Sequence, residues 1–300
     1  MLKDLRFALH LIVKDRWYSG VAILALSLGI GVNATVFTMV NAVLIRGLPF
    51  KDSSRLYMLS VQRKDSPRPG PSSLPDFRDW QAQNKTFAGL AAFSGNGVNL
   101  SGDGNAPQQA SSTAVTYNAF SLLVQPPILG RDFLPGDEQP GAERVAIIGH
   151  KLWKSRYAED KNVIGRTVRI DGVPTTIVGV MPEGMEFPSN AELWMPIVPT
   201  AEQQKRSARF IQVFGRMRTD ASRKQAETEF NGIAARLAAA YPDTNKDATA
   251  AAIQTFNERF NGDRIRTVFL SMLGAVGFVL LIACANVANL LLSRSVHRSR

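Results

Sequence analysis

Apolar and polar positions follow three different patterns along this chain. Near each end the alternation vanishes into a continuous apolar run. The first is GVAILALSLGIGVNATVFTMVNAVLI, Gly20 to Ile45, and the second is VFLSMLGAVGFVLLIACANVANLLLS, Val268 to Ser293. Each holds about 25 residues without a charge, enough for a helix to cross a hydrocarbon core of roughly 30 Å. The first run exceeds the apolar core of a secretory signal, about 7–15 residues, and no small-residue cleavage site follows it. Both runs predict transmembrane helices. Ahead of the first, Leu2, Leu5, Leu9, Ile12 and Arg16 recur at helical spacing, with Lys3, Arg6, His10 and Lys14 on another stripe. That pattern predicts an amphipathic helix lying on the inner membrane surface.

Between the runs, short strand and helix signals alternate. RLYMLSVQR (Arg55–Arg63) reads as a strand. SLPDFRDWQAQN reads as a helix capped by Ser73, with Asp76 at the capping-box position and Phe77 and Trp80 on one face. NGVNLSGDGNAPQQASSTAV is turn-rich and suits a hairpin tip, and Val145–Ile148 reads as a strand before a short helix. GRTVRIDGVPTTIVGVM is a hairpin turning at Asp171-Gly172. Pro174 lacks a backbone donor, so the second strand should begin at a sheet edge. The clearest soluble helix is SRKQAETEFNGIAARLAAAYP. Ser222 and Gln225 start it, Ala226, Phe230, Ile233, Leu237 and Tyr241 form its buried stripe, and Pro242 ends it. Hairpins mixed with helices predict an α+β domain.

Charge sets the expected topology. Short basic segments flank both runs: Lys3, Arg6, Lys14 and Arg16 before the first, Arg294, Arg298 and Arg300 after the second. Short positive flanks stay in the cytoplasm, and two spans put both termini there. The middle region is then exported. The net charge of +10 does not point to nucleic acid, because the basic residues are dispersed and no binding motif interleaves them with aromatics. The single cysteine, Cys284, lies inside the second run, so no internal disulfide can form.

Catalytic chemistry finds little support. No phosphate loop, nucleophile elbow or zincin motif occurs. His10, His150 and His297 are far apart, and two are expected on the opposite side of the membrane from the third. His150 reads as a structural or surface histidine, and the acid pair Asp137-Glu138 as a solvated turn. No enzyme activity, cofactor or metal is expected. The apolar runs are more informative. Gly29 and Gly31 in the first, and Gly274 and Gly277 in the second, would let another helix approach. Asn33 in the first, with Asn286 and Asn289 three residues apart in the second, are polar groups that hydrocarbon penalises unless paired. These positions are expected to face other helices.

Three segments carry a resemblance. DLRFALHLIVKDRWYSGVAILALSLGIGVNATVFTMVNAVLIRGLPF resembles the opening of MacB-like ABC transporter permeases, of the large duplicated type common in Acidobacteria. PPILGRDFLPGDEQPGAERVAIIGHKLWKSRYAEDKNVIGRTVRIDGVPTTIVGVMPEGMEFP resembles the family's periplasmic core domain, and LLIACANVANLLLSRSVHRSR the entry into its FtsX-like permease module. The resemblance implies a cytoplasmic amphipathic helix over 1–18, a transmembrane helix over 19–45, the periplasmic core domain over 46–266, a second transmembrane helix over 267–293, and the start of a cytoplasmic coupling segment over 294–300. Arg294, Arg298 and Arg300 match the start of the element that docks on the ATPase, and equally suit a positive-inside anchor. The implied function is the permease subunit of an ABC-type efflux or mechanotransmission system in a bacterial inner membrane. A partner ATPase binds ATP, and a second permease chain or half, a periplasmic adaptor and lipid are the other implied partners. The family's two further spans do not follow here, so an incomplete permease is expected. The alternative is a membrane-tethered envelope binding or sensor protein without transport activity.

Overall fold

The computed structural model describes residues 16–40, 52–64, 69–102 and 104–298. The amphipathic segment ahead of residue 16 lies outside them, as does Arg300. The chain divides into two compact units, Met1–Gly47 with Phe260–Arg300, and Leu48–Arg259.

In chain order the elements are α1 (Arg16–Val40), β1 (Leu56–Arg63), β2 (Ser72–Ser73), α2 (Leu74–Gln83), β3 (Phe87–Ser101) and β4 (Gln108–Val115). There follow α3 (Ala119–Leu123), β5 (Leu129–Gly130), β6 (Val145–Ile148), α4 (His150–Tyr157), β7 (Thr167–Ile170) and β8 (Val173–Val180). The last are β9 (Leu193–Pro196), β10 (Arg209–Met217), α5 (Arg223–Ala240), α6 (Pro242–Asn245), β11 (Ala248–Thr255) and α7 (Phe256–Arg298). Apolar stretches long enough to cross a membrane occupy Ile23–Val40 of α1 and Thr267–Asn289 of α7.

The strands of the second unit form one sheet in the order β11-β1-β10-β3-β4-β9-β6-β8-β5. The fifteen-residue β3 belongs to both halves of it. Its first part, Phe87–Phe93, pairs with β10, and its later part, Phe93–Leu100, pairs with β4. At its far end Leu100 lies opposite Ile170 of β7. Since β7 also pairs with β8, the strands β3, β4, β9, β6, β8 and β7 close into a ring. The domain is therefore an open sheet lobe fused through β3 to a small barrel lobe.

The open lobe buries both faces, so β1 and β10 show no clean apolar/polar alternation. Leu59, Ala92, Ile211, Val213 and Ile253 pack under α2 and α5, against Phe77, Trp80, Phe230, Ile233 and Leu237. Leu56, Met58, Phe93 and Phe214 join another cluster with Phe120, Phe187 and Trp194. In the barrel lobe, Val98, Leu100, Val168, Ile170, Ile177 and Leu193 pack with Leu152, Trp153 and Tyr157 of α4.

Local signals account for several joints. The Ser73 hydroxyl accepts from the Asp76 N–H at 3.3 Å, and Ser222 and Gln225 cap α5 reciprocally. The β7–β8 hairpin turns through Asp171 and Gly172, both left-handed, as a type I′ turn requires. Its tip is tied to β3 by the Asp171 carboxylate, which accepts from the Asn99 N–H at 2.9 Å. Pro174 faces only Arg169 of β7, and β6 joins β8 further along, at Thr176. Gly130 has φ +77°, and a Cβ there would lie 2.1 Å from the Val178 carbonyl, so β5 can approach β8 only with glycine. The expected stripe of α5 needs one correction. Tyr241 is 42% exposed rather than buried, because the helix ends at Ala240 and Pro242 opens the short α6.

Candidate functional site

Two features of the structure bear on function: the packed helix pair and the polar surfaces of the domain. In the helix pair, Leu26, Gly29, Asn33, Val36 and Val40 are the more buried positions of α1, and Phe269, Leu273, Val276, Leu280, Ala283 and Val287 those of α7. The α7 positions alternate by four and three, the spacing of a coiled-coil seam. Gly29 is the close approach: a Cβ added there would lie 3.2 Å from Leu280 Cδ1 and 3.6 Å from the Ala283 Cβ. One turn on, the Asn33 amide donates twice, to the Gly29 carbonyl at 3.0 Å and across to the Val276 carbonyl at 2.9 Å. The amide thus pins α1 to α7.

The other sequence candidates sit elsewhere. Nothing lies within 4 Å of a Cβ built on Gly31, Gly274 or Gly277. Asn286 and Asn289 are exposed, off the α7 seam. Arg294 and Arg298 lie in the last turns of α7, and Arg300 is outside the described residues. The structure brings Gly29 and Asn33 together at the seam and does not bring Gly31, Gly274, Gly277, Asn286 or Asn289 to it.

The domain holds a charged network that sequence reading missed. Arg206 reaches Asp76 at 2.5 Å and Asp79 at 2.7 Å, and its guanidinium lies 3.7 Å above the Tyr241 ring. Asn245 donates to Asp76 at 2.9 Å. Burial opposes the charge on Arg206, but the two carboxylates outweigh it and raise the guanidinium pKa above its ordinary value. Beside this cluster Arg63 and Arg209 both donate to the Thr244 carbonyl. These residues come from β1, α2, α6, β10 and the loop before β10, so they tie together the corner where those elements meet. A void of about 20 Å³, lined by Asp76, Arg209 and Asn245 among others, adjoins the network and matches one water in size.

A larger open cleft, about 800 Å³, lies between α4 and the segment 182–192. His150, Lys151 and Lys154 line one side, Glu183 and Glu186 the other. His150 packs edge-on against Trp153, with ring centroids 5.6 Å apart. The Asp137-Glu138 pair is structural. Asp137 takes both guanidinium nitrogens of Arg131, at 2.7 and 3.2 Å. Glu138 accepts from the Tyr117 N–H. Among the described residues no three His, Cys, Asp or Glu side chains are grouped to hold a metal ion. Neither a nucleophile–base pair nor a phosphate cradle is formed by the residues described above, and what the geometry offers is packing, pinning and surface recognition.

The family described as the MacB-like periplasmic core domain matches residues 19–233. The pyoverdine export ATP-binding/permease protein PvdT of Pseudomonas fluorescens (strain Pf-5) is 29% identical over 211 residues, which cover 66% of this chain and 30% of that relative. The chain thus spans less than a third of the relative's length. The periplasmic region of MacB from Actinobacillus actinomycetemcomitans superposes with a TM-score of 0.52 at 13% identity, covering 72% of this chain and 92% of that one. The extracellular domain of the noncanonic ABC-type transporter YknZ from Gram-positive bacteria gives 0.50 at 16% identity, over 66% and 99%. At these identities the two structures speak for the fold, and the family match carries the assignment: this chain belongs to the MacB-like periplasmic core domain family of ABC permeases.

Proposed function

We propose that this chain is a membrane subunit of an ABC-type permease, which couples ATP hydrolysis by a partner ATPase to movement of the domain at residues 48–259. The carrying observation is the family match across residues 19–233, joined to a domain flanked by two helices long and apolar enough to span a membrane. In this reading α1 and α7 cross a bacterial inner membrane and the domain is periplasmic. Both termini are then cytoplasmic, with Arg294, Arg298 and Arg300 at the ATPase side. Asn33 and Gly29 hold the two spans together. Asn286 and Asn289, exposed on α7, would face further helices of a second permease chain or half, since lipid cannot satisfy their amides. The work is mechanical, with efflux or mechanotransmission as its outcome and an adaptor as a further partner. Register supports this use: Tyr57 lies opposite Thr255, so the chain enters and leaves the domain side by side at one end of the sheet.

The test is the native polypeptide in source-cell membranes, captured with an antibody to the domain. The reading expects a product far larger than 32.8 kDa, or a second permease chain, and an ABC ATPase retained with it. A 32.8 kDa product that retains no ATPase and no second chain would instead mark a tethered binding protein.

A further inference from the structure

The last residues of the domain are held more firmly than a connection requires. β11 ends at Thr255 and α7 begins at Phe256, with no residue between. The Thr255 N–H donates to Glu258 Oε2 at 2.8 Å, and the Glu258 N–H donates back to Thr255 Oγ1 at 3.1 Å. That reciprocal cap satisfies two backbone donors at the helix start. The second Glu258 oxygen accepts from Arg223 Nη1 at 3.0 Å, and Arg223 Nε donates to Glu227 at 3.0 Å, one turn along α5. Between the two polar contacts, Phe256 is 5% exposed, with ring centroids 5.5 Å from Phe187 and 6.1 Å from Phe214. Backbone pairing continues to the last strand residue, with Thr255 opposite Tyr57.

We infer that Thr255, Phe256 and Glu258, braced by Arg223, form a clamped joint that makes the first turn of α7 move with the domain as one body. The idea rests on the permease reading for its purpose but not for its geometry. A swivel would need freedom at this point. Here a cap, an ion pair to a separate helix and an aromatic anchor each restrain the same four residues. Phe256 faces the aromatic cluster at the core of the domain and Glu258 faces the start of α5, so rotation of this turn must break two unrelated contacts at once. Displacement along α7 would then be delivered to β11 and, through Arg223, to α5.

Amide hydrogen exchange on the full chain in lipid nanodiscs tests it, read at Thr255–Arg259. The unmodified protein should show slow exchange there. Thr255→Ala removes the returning half of the cap and Arg223→Gln the brace. Each should speed exchange at these amides by about 3- to 10-fold, the effect of losing a cap or a half-exposed ion pair. Amides of the Asp171–Gly172 hairpin should not change. Both variants alter partly exposed side chains, so the fold should survive them. Exchange at the unstructured rate in the unmodified chain would overturn the joint, and so would two variants that leave Thr255–Arg259 untouched. The readout involves no ATP. A slow joint in a protein that associates with no ATPase would sink the permease reading alone.

Discussion

β3 runs through two lobes that treat their edges differently. In the barrel lobe the ring from β3 through β4, β9, β6, β8 and β7 returns to β3, so its strands pair on both sides and backbone hydrogen bonds supply the closure. In the open lobe the sheet ends at β11. There side chains do what closure does elsewhere. Asn231 of α5 accepts from the Ala251 N–H of β11 at 2.6 Å. Arg63 and Arg209 converge on Thr244, and Arg206 joins Asp76 to Asp79. The open lobe is also where the chain enters at β1 and leaves at β11. A closed ring resists deformation at every strand, whereas an open sheet pinned by charges can be held or released pin by pin. The lobe through which the chain enters and leaves is the one built with separable pins.

The largest expected effects test whether the lobes are one folding unit. Phe230→Ala empties a site where the ring meets Trp80 and Phe87 edge-on, at 6.0 and 5.7 Å. It should cost about 3–5 kcal/mol, and Ile177→Ala in the barrel about 2–5 kcal/mol. Because β3 is shared, urea unfolding of the full chain in detergent should show both variants shifting one domain transition. Two separated transitions would divide the domain at β3. Next comes Arg206→Met, which strands two carboxylates, one of them with a side chain only 8% exposed. A loss of about 2–4 kcal/mol is expected in the same transition. A loss below about 0.5 kcal/mol would remove the charged pins from the comparison. A smaller effect belongs to the barrel side. Gly130→Ala forces a left-handed alanine against the Val178 carbonyl and should cost about 1–3 kcal/mol. Gly95→Ala, with open space around its Cβ, should be nearly neutral.

How much of this contrast the sequence carried depends on range. The Ser73 and Ser222 caps, the Asp171-Gly172 turn and the buried Phe230–Leu237 stripe are local, and each is legible in a few residues. β10, RFIQVFGRM, is buried on both faces and so shows no alternation, and the alanine-rich β11 has too little apolar contrast to announce a strand. The barrel closure pairs Leu100 with Ile170, and the Arg206–Asp76 pair joins residues 130 positions apart, so neither leaves a local pattern. Thr255-x-x-Glu258 does carry the capping-box signature, but it sits between an unread strand and an apolar run, where no helix start stands out. In the helix pair, composition marked seven glycines and asparagines alike. Only the four-and-three spacing of the α7 seam, read with its partner, separates Gly29 and Asn33 from Asn286 and Asn289.

The smallest prediction separates two acids by the sign of their pH response. Burial pushes the Glu258 carboxyl up, but the Thr255 N–H and the Arg223 guanidinium outweigh it, so its pKa sits below the ordinary glutamate range. A depressed carboxylate stabilises the fold above the unfolded-state pKa, and that contribution is lost as pH falls through the folded value. Glu138 goes the other way: burial pushes its carboxyl up, and neither the Tyr117 N–H nor Arg78 brings it back. A raised carboxylate favours the fold while protonated and loses that contribution as pH rises through the folded value. Glu258→Gln should therefore destabilise at pH 7 by less than about 1 kcal/mol, since the pair is half exposed. Its deficit should shrink as pH falls below the carboxylate range. Glu138→Gln keeps an acceptor for Tyr117 and should be neutral or slightly stabilising at pH 7, with its advantage shrinking in acid. Thermal unfolding of both variants from pH 7 to pH 3 decides it. Curves that converge on the wild type from opposite sides would assign the acid-sensitive pin to the open lobe, while parallel curves would mean that neither acid is coupled to folding.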